Sequence, residues 1–166
     1  MEDFLFEKLN LINYICVKKM DKNNKYFKRL VSEWNQHGKI VIAVDYDDTI
    51  SPWKFNDIED LEKFDKIIKL LKDCRYTGAF ISIFTSCNED RYSEIQTYCE
   101  SKGLKIDSIN RTPINLPYGN TSKIYANIFL DDRAGLDESL SILELAMYHR
   151  RTQIEMEDSF FYDDVA

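Results

Sequence analysis

The chain carries four cysteines, Cys16, Cys74, Cys87 and Cys99, but no CxxC pair and no histidine spaced to complete a metal site. Neither a zinc site nor a disulfide framework is therefore indicated, and free thiols fit a reducing compartment. Basic excess is missing too: the formal net charge is -7 and the pI about 4.9. That argues against a broad nucleic-acid footprint, because phosphates attract basic surfaces. The apolar stretch at the start is interrupted by Asn10 and Asn13, too short to span a bilayer, and it opens with Glu2, Asp3 and Glu7 where a signal peptide would carry positive charge. The expectation is a soluble, cytoplasmic protein with no membrane partner. No internal repeat or low-complexity tract is present. What remains is 166 residues with 44% hydrophobic and 13% aromatic content, enough for one ordinary core and too little for two.

Periodicity supplies the elements. Leu5, Leu9, Ile12 and Cys16 recur at helical spacing over residues 3 to 17, and Tyr26, Leu30 and Trp34 do so beside Phe27 and Val31, before a stop at Gly38. Lys39 to Val44 is a continuous β-branched run suited to a strand buried on both faces. Leu61, Phe64, Ile67, Ile68 and Leu71 predict a helix, Ala79 to Phe84 a second strand, and Asn88 a cap for a helix running through Tyr92, Ile95 and Cys99. Leu104 to Ile109 and Asn127 to Leu130 read as further strands, and Leu136, Leu140, Leu143 and Met147 as a last helix. Alternating strands and helices imply an α/β fold with a doubly wound parallel sheet, its ligands at the carboxyl ends of the strands. Three strands end there in polar groups: Asp45 and Asp47, Thr85 and Ser86, Asp131 and Asp132.

Those residue types suit phosphoryl transfer, which needs an in-line nucleophile, charge neutralisation and a proton for the leaving group. Asp45 and Asp47, one residue apart at a strand end, point the same way. Converging carboxylates repel one another without a counter-cation, and hard oxygen ligands suit Mg²⁺. The segment Asp45-Tyr46-Asp47-Asp48-Thr49 resembles the DxDxT motif of the haloacid-dehalogenase-like hydrolases, and the later motifs follow in that superfamily's order over roughly Lys39 to Met147. The resemblance implies a Rossmann-like fold, Asp45 as nucleophile and Asp47 as acid and base. It also implies that Asp45, the Asp47 carbonyl, Asp131 and Asp132 hold Mg²⁺, and that Thr85, with Ser86 beside it, binds a phosphoryl oxygen. Lys123 matches the third-motif lysine; its position before Asp131 and the Thr-Ser pair are similar to those of 5'(3')-deoxyribonucleotidases. A fully extended chain would put Lys123 roughly 25 Å from Asp131 at about 3.3 Å per residue, so that role requires a looped approach.

The organisation expected is an N-terminal helical extension over 1–38, a catalytic core over 39–150 and an acidic tail over 151–166. Neither usual insertion point has room for a cap domain, so the site is expected to be open, or covered by another copy or a partner subunit. Trp53 and Phe55, with Asn110 and Arg111, could line a pocket that stacks a base and clamps its phosphate. Asp48 is expected to support the turn, and His37 and His149 to lie on the surface. The substrate expected is a phosphorylated small molecule, such as a nucleotide, or a nucleic-acid end. The alternative is a non-catalytic binding or structural module on the same fold.

Overall fold

The computed structural model describes residues 24–53, 58–113 and 123–163; the helix expected over 3 to 17 lies outside them, as does Phe55. Helix α1 spans Lys25–His37. The Asn24 side chain starts it, accepting from the Tyr26 and Phe27 backbone N–H groups at 2.9 and 3.3 Å, which satisfies donors that a helix cannot pair internally. Gly38 ends it in the left-handed region, φ 66°. Of the expected stripe Leu30 and Trp34 are buried, with Phe27 beside them, whereas Tyr26 is exposed. Trp34 donates its indole N–H to the Thr77 carbonyl at 2.9 Å, tying the helix to the turn before the second strand.

Strands β1 (Ile40–Asp45), β2 (Ala79–Phe84), β3 (Ser108–Ile109) and β4 (Ile128–Leu130) form one all-parallel sheet in the order β3-β2-β1-β4. They are interleaved with helices α2 (Ile58–Tyr76), α3 (Tyr92–Ser101) and α4 (Leu136–Asp163), so the fold is α/β. β1 is central and buried from Ile40 to Val44, which is why its sequence does not alternate. Helix α1 packs on β1 and α4, α2 on β2 and α4, and α4 on β4. Gly78, at φ 101°, lies so close to the preceding turn that a Cβ there would come within 2.2 Å of the Gly38 carbonyl oxygen. Only glycine allows these two turns to meet.

The strand expected from Leu104 is shorter than its apolar run. The Leu104 N–H returns to the Cys99 carbonyl at 2.8 Å and finishes α3, leaving only Ser108–Ile109 to pair with β2. Asn88 precedes a 3₁₀ turn, Glu89–Arg91, and makes no side-chain cap. The stretch expected as a tail is helical through Asp163, with Arg151 and Glu155 paired one turn apart at 3.0 Å. No helix among the described residues is long and apolar enough to cross a membrane.

The strand order places the site. From β1 the chain moves outward through β2 and β3, then returns to the other side of β1 for β4. That reversal lies beside the carboxyl end of β1, where parallel sheets leave a crevice.

Candidate active site

Asp45 is the last residue of β1, and Asp131 directly follows β4. One carboxylate oxygen each from Asp45, Asp131 and Asp132 lie within 4.8 Å of one another, a set of hard oxygen donors that could hold a cation. Their crowding has an electrostatic cost. Burial, followed by the charges of Asp131, Asp132 and Asp47, pushes the Asp45 carboxyl up to about 6 against an opposing backbone hydrogen bond from Tyr46. A cation among the three would offset that repulsion.

The loop after β1 is stiffened from several directions. Ile50 and Ser51 both donate their N–H groups to the Tyr46 carbonyl, and Asp48 donates to the Ser51 carbonyl at 2.7 Å. Asp48 takes φ 59°, a conformation Asp tolerates, and its side chain accepts from the Trp53 N–H at 2.9 Å. It supports the turn, as expected. Ile50 is buried in the core and its carbonyl accepts the Tyr98 hydroxyl of α3 at 2.9 Å. Thr49, also buried, lies 3.5 Å from Asp45 Oδ2 and accepts the Asp132 N–H at 3.2 Å, joining the ends of β1 and β4. The sequence named Thr49 only as part of the motif; here its hydroxyl fixes the spacing of the aspartates.

Thr85 follows β2 and is largely buried. Its Oγ1 accepts the Cys87 N–H at 3.2 Å, while its backbone is clasped by Asn110, which accepts from Thr85 N–H and donates to its carbonyl, both at 2.8 Å. The second Asn110 N–H goes to the Tyr92 hydroxyl at 2.7 Å. Asn110 is thus a support for Thr85, with both amide hydrogens used by the protein. Ser86 and Arg111 are exposed. The Arg111 carbonyl is taken by the Ser82 and Ser108 hydroxyls. Lys123 is exposed and, among the described residues, forms no ion pair with the aspartates. Arg133 donates its N–H to Asp131 at 2.8 Å, but its side chain is 83% exposed and 4.0 Å from Asp132. Cys87 packs partly against the core.

Sequence reasoning passed over Arg91. It closes the 3₁₀ turn after Thr85, and its guanidinium faces Asp47 in a fork, Nη1 to Oδ2 at 3.4 Å and Nη2 to Oδ1 at 3.3 Å. The same group lies over the rings of Trp53, 5.0 Å from the centroid, and Tyr46, 5.9 Å. The only sequence signal was its place as a cation on the loop at the carboxyl end of β2.

No family model and no curated protein matches the chain. Among solved structures it is similar to one described as a conserved protein coded by a locus from Bacteroides thetaiotaomicron, 22% identical, with a TM-score of 0.46 over 57% of this chain and 77% of that one. Likeness at that level carries nothing about chemistry.

Proposed function

We propose that the chain is a magnesium-dependent phosphohydrolase of the haloacid-dehalogenase-like type, with a doubly wound sheet and no cap domain, acting on a phosphate monoester. The observation that carries this reading is the gathering of Asp45, Asp131 and Asp132 at the strand reversal, with Asp47 near enough to raise the Asp45 pKa. The motif order supports it, as does the placement of Thr85 at the end of the neighbouring strand. The absence of a cap is supported by α2, which occupies Ile58–Tyr76 of the stretch between the first loop and β2.

In this reading an Asp45 oxygen attacks phosphorus, and the bond from phosphorus to the leaving oxygen breaks as Asp47 delivers a proton to that oxygen. Water then attacks the aspartyl-phosphate, Asp47 takes its proton, and phosphate leaves with Asp45 restored. The Thr85 oxygen is fixed by the Cys87 N–H, and its hydroxyl proton, donated to no described residue, is available to a phosphoryl oxygen. Mg²⁺ held by Asp45, Asp131 and Asp132, with the Asp47 carbonyl, would supply positive charge that returns Asp45 to its nucleophilic form and neutralises the phosphate. The substrate class is a phosphorylated small molecule, such as a nucleotide, or a nucleic-acid end; the protein works in the cytoplasm, and its open site leaves room for a second copy or a partner subunit as cover.

The deciding experiment is hydrolysis of an aryl phosphate with and without Mg²⁺. Turnover that is lost in excess chelator and returns with Mg²⁺ is the expected result. Folded, metal-loaded protein that releases no phosphate from any of a panel of nucleotides, sugar phosphates and phosphorylated oligonucleotides would replace the hydrolase with a binding module.

A further inference from the structure

A phosphate monoester brings two negative charges to a place already lined by four aspartates, so a protein cation must meet it. Four basic residues were candidates. Lys123 is exposed and unpaired with the cluster, Arg111 is exposed, and Arg133 extends into solvent. Arg91 differs from all three. Its side chain is 26% exposed, and it is held by aromatic faces on Trp53 and Tyr46 as well as by carboxylates, Asp47 in the fork and Glu94 at 3.8 Å.

The fork to Asp47 is loose. Charge-assisted N–H···O contacts usually close to about 2.7–2.9 Å, whereas these stand at 3.3 and 3.4 Å. The rings hold the guanidinium by its face and leave its N–H edge directed at the Asp47 carboxylate. A leaving oxygen that takes a proton from Asp47 must come within about 3 Å of that carboxylate. Any phosphate placed for this reaction therefore also falls beside the Arg91 edge. A guanidinium offers five donors in a planar fork that matches phosphate oxygens, and a dianion competes well against a single carboxylate at long range.

Resting on the phosphohydrolase reading, we propose that Arg91 is the protein cation that receives the substrate phosphate, exchanging Asp47 for phosphate oxygens, in the role that the motif resemblance gives to Lys123. The aromatic seat makes the exchange possible, because the side chain keeps its position when its carboxylate partner is replaced. Asp47 is then released toward the leaving oxygen by the arrival of the anion itself.

Calorimetric titration of inorganic phosphate into the full chain with Mg²⁺ tests this, because it needs no turnover. Arg91→Ala is expected to weaken phosphate by ~10-fold or more, the loss of one charge-assisted contact, with Arg91→Lys recovering part of it. Lys123→Ala should change it by less than about 2-fold, as expected of a solvated lysine. Asp47→Asn, by removing the competing carboxylate, should tighten phosphate, and that gain should vanish in the Arg91→Ala background. A gain that persists there would be simple relief of repulsion and would overturn the exchange. Wild-type affinity in Arg91→Ala, in protein whose Tm is unchanged, would remove Arg91 from the site while an active hydrolase kept its mechanism. Arg91-dependent phosphate binding without any turnover would keep the anion site and discard the hydrolase. Wild-type protein that neither binds nor hydrolyses would discard both.

Discussion

Two arginine–aspartate forks in this protein look alike on paper and are built for opposite ends. Arg75 and Asp107 join α2 to the approach of β3, with Nη2 to Oδ1 at 2.9 Å and a second, shorter contact through Nη1. Asp107 Oδ2 also accepts the Ile81 N–H at 2.8 Å, so the carboxylate is saturated by the guanidinium and a strand. Arg91 and Asp47 stand at 3.3 and 3.4 Å, over aromatic rings, at the open end of the sheet. The first pair closes a gap in the fold, and nothing could replace either partner without leaving a polar group stranded. The second leaves donor capacity unspent where an anion can reach it.

The largest expected effect is on the chemistry beside the loose pair. Asp45→Asn should abolish turnover, by ~10³-fold or more, because an amide is a poor nucleophile. Asp47→Asn keeps the nucleophile but loses the group that activates water, so with a good leaving group the aspartyl-phosphate should accumulate. Acid quench and peptide mass spectrometry would find the label on the segment containing Asp45. Label on another residue, or wild-type turnover by Asp47→Asn, would reassign the roles.

Next comes the contrast between the forks themselves. Asp107→Ala strands a part-buried guanidinium and a strand N–H, and should cost about 2–3 kcal/mol in urea unfolding. Arg91→Ala should cost less, about 1 kcal/mol or under, because its contacts to Asp47 are long and no strand N–H loses its acceptor. Equal losses would erase the distinction.

Acidity offers a third test. Asp45 titrates near 6 in the fold against 3.8 without it. Between those values the unfolded chain has released its proton while the folded one retains it, so stability in chelator should fall as pH rises through that window and stay low above it. Asp45→Asn removes the loss. At pH 7 without metal it should be more stable by roughly 1–2 kcal/mol, the shift being discounted for water reaching a half-buried carboxylate. A variant less stable than wild type in chelator would mean that neither burial nor the neighbouring charges penalise the Asp45 carboxylate.

The smallest effect should come from the aromatic seat. Trp53→Leu removes one ring from Arg91 and should weaken phosphate by about 2- to 5-fold, the worth of one cation–π contact. No change in affinity would show that the rings do not hold the guanidinium in place.

Much of this arrangement could be read from the chain, and the portion that could not has a common cause. The bounds of β2 matched the apolar run because a strand buried between neighbours has little freedom in composition. The aspartates at the ends of β1 and β4 were legible because polar residues closing apolar runs must share one edge of a parallel sheet. Arg91 was hidden because it fell in the first turn of the helix expected after Asn88, and only the three-dimensional approach of Asp47 and Trp53 gives it these partners. The hold of Asn110 on Thr85 was not legible because its amide reaches 25 residues back, a distance that no local pattern encodes. Leu104 looked like strand because it is apolar and buried, but burial does not say where its N–H goes.

The clasp around the first strand sets an order of assembly. Asn127 brackets Val41, its side-chain oxygen taking the Val41 N–H at 2.7 Å and its own N–H reaching the Val41 carbonyl at 2.8 Å, across a separation of 86 residues. β4 itself contributes only three residues, so this one asparagine is much of what recruits the strand. During synthesis β1, α2 and β2 can pair as soon as they emerge, whereas Asp131 and Asp132 join Asp45 only after residues 86 positions apart have met. A nascent chain can therefore pair β1, α2 and β2 before its four carboxylates meet, so their mutual repulsion falls on strands already paired rather than on the first contacts that pair them.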